Sequence, residues 1–309
     1  MTNGFIILDK PTGITSRSAG ARVAKMFGTK KFGHIGTLDP MASGVLVIAL
    51  GEATKLIPYH ASTLNPHPST LEKEYLFSIK WGVRTDTDDI TGKIVEEGGK
   101  IPTEGEIEYA LPKMVGEYEQ VPPAFSAKKI GGIAAYKLAR QGKGVKLAPK
   151  KVRIFELTRD AGSCLVSPVS HLAAPHAVYR VRCGTGTYVR ALVRDLAAKL
   201  GTIGAASMIR RNYSDGFDIK DAAPLDFLEN MYNNGGILDM AAYVRPMDFG
   251  LDGIPVLNLG EKDGAAFQNG GLCLANGENG LTRAYSGGRF IGIGEVRGGV
   301  LKPKRVIKE

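Results

Sequence analysis

The spacing of apolar and polar positions changes character several times along the chain. A continuous apolar run at 4–9 (GFIILD), stopped by Lys10-Pro11-Thr12-Gly13, predicts a buried strand. Thr15 or Ser16 then caps a helix through about Phe27, with Ala19, Val23 and Met26 or Phe27 on one face. The glycine-rich stretch GTKKFGHIGTLDPMASG reads as a loop that leads into a strand at 45–50. Residues 74–83 and 92–97 predict strands around the turn-rich RTDTDDITG, and 151–159 and 177–183 predict two more. Residues 104–115 have helical spacing, limited by Pro112.

The clearest helix is 187–200. Val189, Leu192, Val193, Leu196, Ala197 and Leu200 recur three and four apart and form one apolar stripe. Thr187 is placed to cap its start and Gly201 to close its end; Arg190 and Arg194 fall on the other face. Residues 160–176 show neither period nor charge and read as a loop. From about 251 the texture shifts to short apolar runs between Gly and Asn turns, which predicts a small all-β module. Strands outnumber helices without strict alternation. The expected fold is therefore α+β with a mixed or antiparallel sheet, followed by the module at 251–309.

Composition narrows the setting. The three cysteines (Cys164, Cys183, Cys273) are widely spaced and form no CxxC pair, which fits a reducing, cytoplasmic location. Apolar runs are too short for a membrane span, and the first residues do not read as a secretion signal. Net charge is +9, from 40 Lys+Arg against 31 Asp+Glu. It is unevenly distributed. Residues 1–60, 120–160 and 180–211 are basic blocks, separated by acidic stretches at 84–119 and 212–252. Folding that gathered the basic blocks would suit a polyanion.

Candidate chemistry falls in a few places. Asp39 lies in GHIGTLDPMASG, a loop of the kind that presents reactive groups, stiffened by Pro40; a plain Asp-Pro turn is the simpler reading. His34 in the same loop is able to stack, donate hydrogen bonds or titrate. Alternation puts Tyr75 on one face with Phe77 and Ile79, as a core aromatic or a platform for a flat ring. Tyr188 and Arg190 open the 187–200 helix, where an anion would find free N–H groups, or where Arg190 would hold a carboxylate ionised. Asp86, Asp88 and Asp89 invite a magnesium reading, but their context is a turn without ligand spacing. No HExxH, GxSxG, P-loop or dinucleotide fingerprint occurs, so no metal or nucleotide cofactor is expected.

Eight motifs occur together in order: ILDKPTG, GHIGTLDPMASGVL, GEATK, KEY, RTDTDD, PPAFSAKK, GTYVR and IRR. In this the chain resembles the bacterial branch of the TruB family of tRNA pseudouridine synthases. The likeness is strong over about 4–250, and the tail looks like the family's PUA-type RNA-binding module. The resemblance implies a catalytic domain at 1–250 with the pseudouridine synthase fold, a PUA-like domain at 251–309, and no cofactor. It implies isomerisation of uridine 55 in the tRNA T loop by a cytoplasmic enzyme, read here as a monomer. By that likeness Asp39 is the essential carboxylate and Arg190 pairs with it. Tyr75 stacks on the flipped base, and Tyr188 acts at the base or ribose. His34 takes the uridine's place in the T-loop stack, and Ile209, where leucine is expected, forms an apolar wall. Lys10 and Pro11 support the catalytic loop, and Asp86 joins the substrate-binding set. An RNA-folding protein of the same fold, or a synthase acting on another RNA, are the alternatives. Retention of Asp39, Tyr75, Tyr188 and Arg190 together favours the enzyme.

Overall fold

A computed structural model of the chain describes residues 2–63, 72–160 and 177–308. The loop reading of 161–176 lies outside the described residues. The chain divides into two compact units. The first holds Met1–Pro40, Gly44–Thr70 and Asp215–Glu309; the second holds Met41–Ser43 and Leu71–Ser214.

In the first unit the apolar run forms the strand Gly4–Lys10, antiparallel to Ser43–Leu50, with Ile6 opposite Ile48. Both strands are buried almost throughout, as their unbroken apolar character requires. Phe32–Ile35, inside the stretch read as loop, is a short strand that pairs with the far side of Ser43–Leu50. Gly33 within it and Lys30, Lys31 and Gly36 beside it concealed it. Ala223–Pro224 adds a short parallel pairing beside Leu8 and Asp9, so pairing here is mixed. The helix Ser16–Met26 buries Ala19, Val23 and Met26 as its spacing predicts, and Thr15 caps it by accepting from the Ser18 N–H.

The tail belongs to this unit. Five strands lie in the order Val256–Leu259, Gly280–Ser286, Arg289–Arg297, Val300–Val306 and Cys273–Leu274. One helix, Glu261–Gln268, was not announced by periodicity; it sinks Phe267 into the core formed with Ala284, Ile291 and Leu301. Leu251, Ile254, Ile293 and Ile307 join Phe5, Ile7, Val45 and Val47 in a second core. The Lys55 ammonium, from GEATK, donates to the carbonyl of Val306 at 3.1 Å.

His60 is wedged into that unit, 1% exposed, edge-on to Phe5 at 4.7 Å and 6.0 Å from the Phe217 ring. Gly250, at φ +75°, makes room: a Cβ there would stand 3.2 Å from the imidazole. Burial pushes the ring's pKa down from 6.5 to about 4, so the folded state holds it neutral. The unfolded chain takes up the proton first as pH falls. This contribution is complete above about pH 6.5 and is lost toward pH 4. We expect urea unfolding to show a loss of about 2 kcal/mol from this group between pH 7 and pH 5. The drop should shrink by that amount in His60→Leu; an unchanged drop would contradict a neutral buried ring.

The second unit is an antiparallel sheet in the order Gly204–Ser214, Glu72–Trp81, Val178–Gly184, Lys150–Arg159 and Gly116–Gln120. Glu72–Trp81 is central, so every residue from Tyr75 to Ile79 is buried rather than alternate ones. Gly204–Ser214, which Arg210, Arg211 and Asn212 hide from an apolar pattern, carries register shifts at Ala206/Met208 and Arg211/Tyr213. The expected helix at 104–115 is α-helical only over Glu104–Ala110. It tightens to a 3-10 turn at Leu111–Met114, where Pro112 cannot continue an α-helix.

Val189–Lys199 is the predicted long helix and buries Val189, Leu192, Val193, Leu196 and Ala197. Thr187 does not cap it. Its hydroxyl donates to the Gly184 carbonyl at 2.9 Å, and Tyr188 occupies the cap position. Gly201, at φ +69°, closes the other end as expected.

Candidate active site

In the first unit, two loops are joined. The Lys10 side chain is wholly buried and donates to the carbonyls of Pro11 and Ile14, curling Pro11–Ile14 around its ammonium. That loop reaches the Asp39 loop twice. The Gly13 N–H donates to the Pro40 carbonyl at 2.7 Å. The Ser16 hydroxyl donates to the Leu38 carbonyl and accepts from the Leu38 N–H, both at 2.9 Å. Asp39 itself is half-buried between these held neighbours. His34 sits at the end of the preceding strand, its Nδ1 2.6 Å from the Gly36 carbonyl, which orients the ring. Gly36 is at φ +68°, a conformation that suits glycine.

The second unit gathers three other motifs around Arg190. This guanidinium is 3% exposed, not on an open helix face as the apolar stripe alone implied. It donates to the Thr87 carbonyl at 2.6 Å and the Phe125 carbonyl at 3.0 Å, and its Nε lies 3.7 Å from Asp89. RTDTDD, PPAFSAKK and GTYVR thus meet on one planar fork. Tyr188, half-buried, is held by its backbone: its N–H donates to Gln120 Oε1 at 2.8 Å, and Gln120 Nε2 donates to its carbonyl at 3.3 Å. The first donor of this helix start is therefore engaged, which weakens the anion reading. Gln120 also donates to the Tyr118 hydroxyl at 2.7 Å; burial, with Asp195 nearby, drives that phenol's pKa up.

The acidic cluster builds a turn. Asp86 accepts from the Lys93 N–H at 2.8 Å, and Asp89 Oδ1 accepts from the Thr91 N–H and hydroxyl. Asp88 sits at φ +62° and pairs with Arg194 at 2.8 Å; burial raises its pKa against the pull of Arg194 and Arg190. Among the described residues no group of three or more His, Cys, Asp or Glu is arranged to hold a metal ion.

Tyr75 and Ile209 lie on adjacent strands: Tyr75 faces Arg211 and Val181 in register, and Ile209 faces Phe77. All five are buried. Arg210 donates to the Ser43 hydroxyl at 3.4 Å, tying IRR to the far end of the Asp39 motif.

Most of the basic block 180–211 is paired or buried, although Lys199 is exposed. Arg180 pairs with Glu74 and Asp160, Arg182 with Glu72, and Arg194 with Asp88, while Arg190 and Arg211 are buried. Block 120–160 differs: Lys129, Lys137, Arg140, Lys143, Lys146 and Lys150 are exposed. Gln120 was not singled out beforehand, and Ser16 and Asp89 entered only as a helix-cap candidate and as part of an acidic cluster. Ser16 and Gln120 act through backbone groups distant in sequence, and no local spacing signals such a contact.

Residues 24–189 match the model of the TruB family pseudouridylate synthase N-terminal domain, and 255–307 match that of pseudouridine synthase II TruB, C-terminal. The tRNA pseudouridine synthase B of Bradyrhizobium diazoefficiens is 40% identical over 98% of this chain and 85% of the relative. That of Roseobacter denitrificans is 38% identical over 99% of this chain and 95% of the relative. Among solved structures, a chain of an H/ACA RNP bound to a substrate RNA containing 2'-deoxyuridine superposes with TM-score 0.65 at 21% identity. It covers 99% of this chain and 85% of its own length, and it bears on the fold alone. With both family models matched in order and near-full-length relatives at this identity, the chain belongs to the TruB family of pseudouridylate synthases.

Proposed function

We propose that this protein isomerises uridine to pseudouridine at position 55 in the T loop of tRNA, acting as a cytoplasmic monomer. The observation that carries the reading is likeness along the whole chain to tRNA pseudouridine synthases B, joined to a carboxylate, Asp39, on a loop held at both flanks. The reaction breaks the C–N glycosidic bond, turns the uracil and forms a C–C bond. A stacked uridine must first leave the RNA loop. Attack at C1′, attack at C6 and removal of a ribose proton all require Asp39 ionised, and that is its assigned role. Tyr188 serves the later proton steps, since C5 must lose its hydrogen, and Tyr75 stacks on the base. Ile209 gives the base an apolar wall. His34 fills the gap that the uridine leaves in the T-loop stack, and Lys10 and Pro11 shape the loop beneath Asp39. Asp86 shapes the turn on which Arg190 is anchored. Residues 251–309 form the PUA-like module that holds RNA beside a catalytic domain at 1–250.

The direct test is tritium release from C5-labelled uridine in a T-arm stem-loop by the purified protein. Release establishes turnover, and its absence with intact RNA binding would favour an RNA-folding role. Phosphate contacts fall to the exposed lysines of 120–160. Log K should decline linearly with log salt, and Lys143→Ala with Lys146→Ala should flatten that slope by about 1 per lysine removed. Filter binding across a salt series checks this; an unchanged slope would move the contacts elsewhere.

A further inference from the structure

The geometry points to Ser16 as a positioning residue for the reaction, the side chain that fixes the backbone on which Asp39 is presented. This rests on the assignment of Asp39 as the catalytic carboxylate. Ser16 is the first residue of its helix, and Thr15 already supplies the cap, so the Ser16 hydroxyl is free for another task. It bonds to a residue 22 positions away, donating to the carbonyl and accepting from the N–H of Leu38. One residue turns both groups to the same side only when its backbone is extended, as in an antiparallel ladder. The hydroxyl therefore stands in for a neighbouring strand and locks Leu38 into that shape. Ser16 is 2% exposed and Leu38 4%, so water does not compete for these groups.

The consequence falls on Asp39. Its preceding carbonyl, that of Leu38, is held by Ser16. Its following residue is proline, whose ring sets φ and bars Asp39 from helical backbone. The carbonyl of Pro40 is held in turn by the Gly13 N–H. Only the torsions of Asp39 and the ψ of Pro40 remain between two held points. Ser16 touches no reacting atom in this scheme; it acts through the peptide.

The test measures single-turnover isomerisation of a T-arm stem-loop at saturating enzyme, with RNA affinity and unfolding midpoint measured in parallel. Ser16→Ala should slow the chemical step by about 10- to 100-fold, as expected for a reactive group displaced by an ångström or less. RNA affinity should stay within about twofold, and Ser16→Thr, which keeps the hydroxyl, should recover most of the rate. If Ser16→Ala does not fold, Ser16→Cys, similar in size and a weaker donor, takes its place and should give an intermediate rate. Asp39→Asn is run alongside. A wild-type rate in Ser16→Ala or Ser16→Cys beside an inactive Asp39→Asn overturns the positioning role. A rate loss matched by equal loss of RNA affinity or folded protein overturns it as well. An active Asp39→Asn overturns the assignment of Asp39 instead.

Discussion

Replacing Asp39 by asparagine is expected to abolish tritium release from a C5-labelled T-arm uridine while the RNA stays bound. The substitution keeps the shape of the side chain and removes its charge. The backbones of Leu38 and Pro40 are held by Ser16 and Gly13, contacts that the substitution leaves in place, so the loop should keep its form. An amide neither attacks an electrophilic carbon as a carboxylate does nor accepts a ribose proton. The loss should therefore be about a thousandfold or more. RNA affinity should hold or rise slightly, because a negative charge is removed from a protein that binds a polyanion. Normal release by the variant would remove Asp39 from the mechanism.

Arg190→Met should cost the second unit about 3–5 kcal/mol of stability, the range for removing one member of a buried ion pair. Methionine fills similar space but leaves the carbonyls of Thr87 and Phe125 and the carboxylate of Asp89 without the fork that joins them. Unpaired buried acceptors carry their full desolvation cost. Arg190→Lys should recover little, since one ammonium does not span acceptors from two loops and an Asp. Chemical denaturation followed by circular dichroism checks this, with Arg194→Met as a comparison, because that arginine is about a third exposed. A wild-type midpoint in Arg190→Met would show that the gathering of the three motifs does not depend on it.

The sequence disclosed most where one interaction type dominates. The Gly4–Lys10 and Ser43–Leu50 strands and the 189–199 stripe are driven by apolar burial, and their spacing is sufficient to find them. It disclosed least where polar groups are buried in pairs. Gly204–Ser214 is an eleven-residue strand, yet Arg211, 1% exposed, hides it from an apolar pattern. The same blindness affected charge. A count treats Arg180 and Arg182 as available to phosphate, whereas the sheet places carboxylates against them. Candidate site residues emerged from family motifs and not from physics alone. Their supports, Ser16 and Gln120, contact backbone groups 22 and 68 positions away. Such contacts exist only once the chain has folded.

The tail shares its interior with the first strand of the protein, and that constrains its history. A module joined only by a linker is gained or shed in one genetic event. Here Leu251, Ile254, Ile293 and Ile307 fill the same core as Phe5 and Ile7, and Lys55 reaches the last strand. Loss of this module by a lineage would leave apolar side chains bare beside the strand that leads into Lys10. Several substitutions would have to arrive together to cover them. Residues 251–309 and the N-terminal strand thus form one packing unit, and neither is removed without uncovering the other.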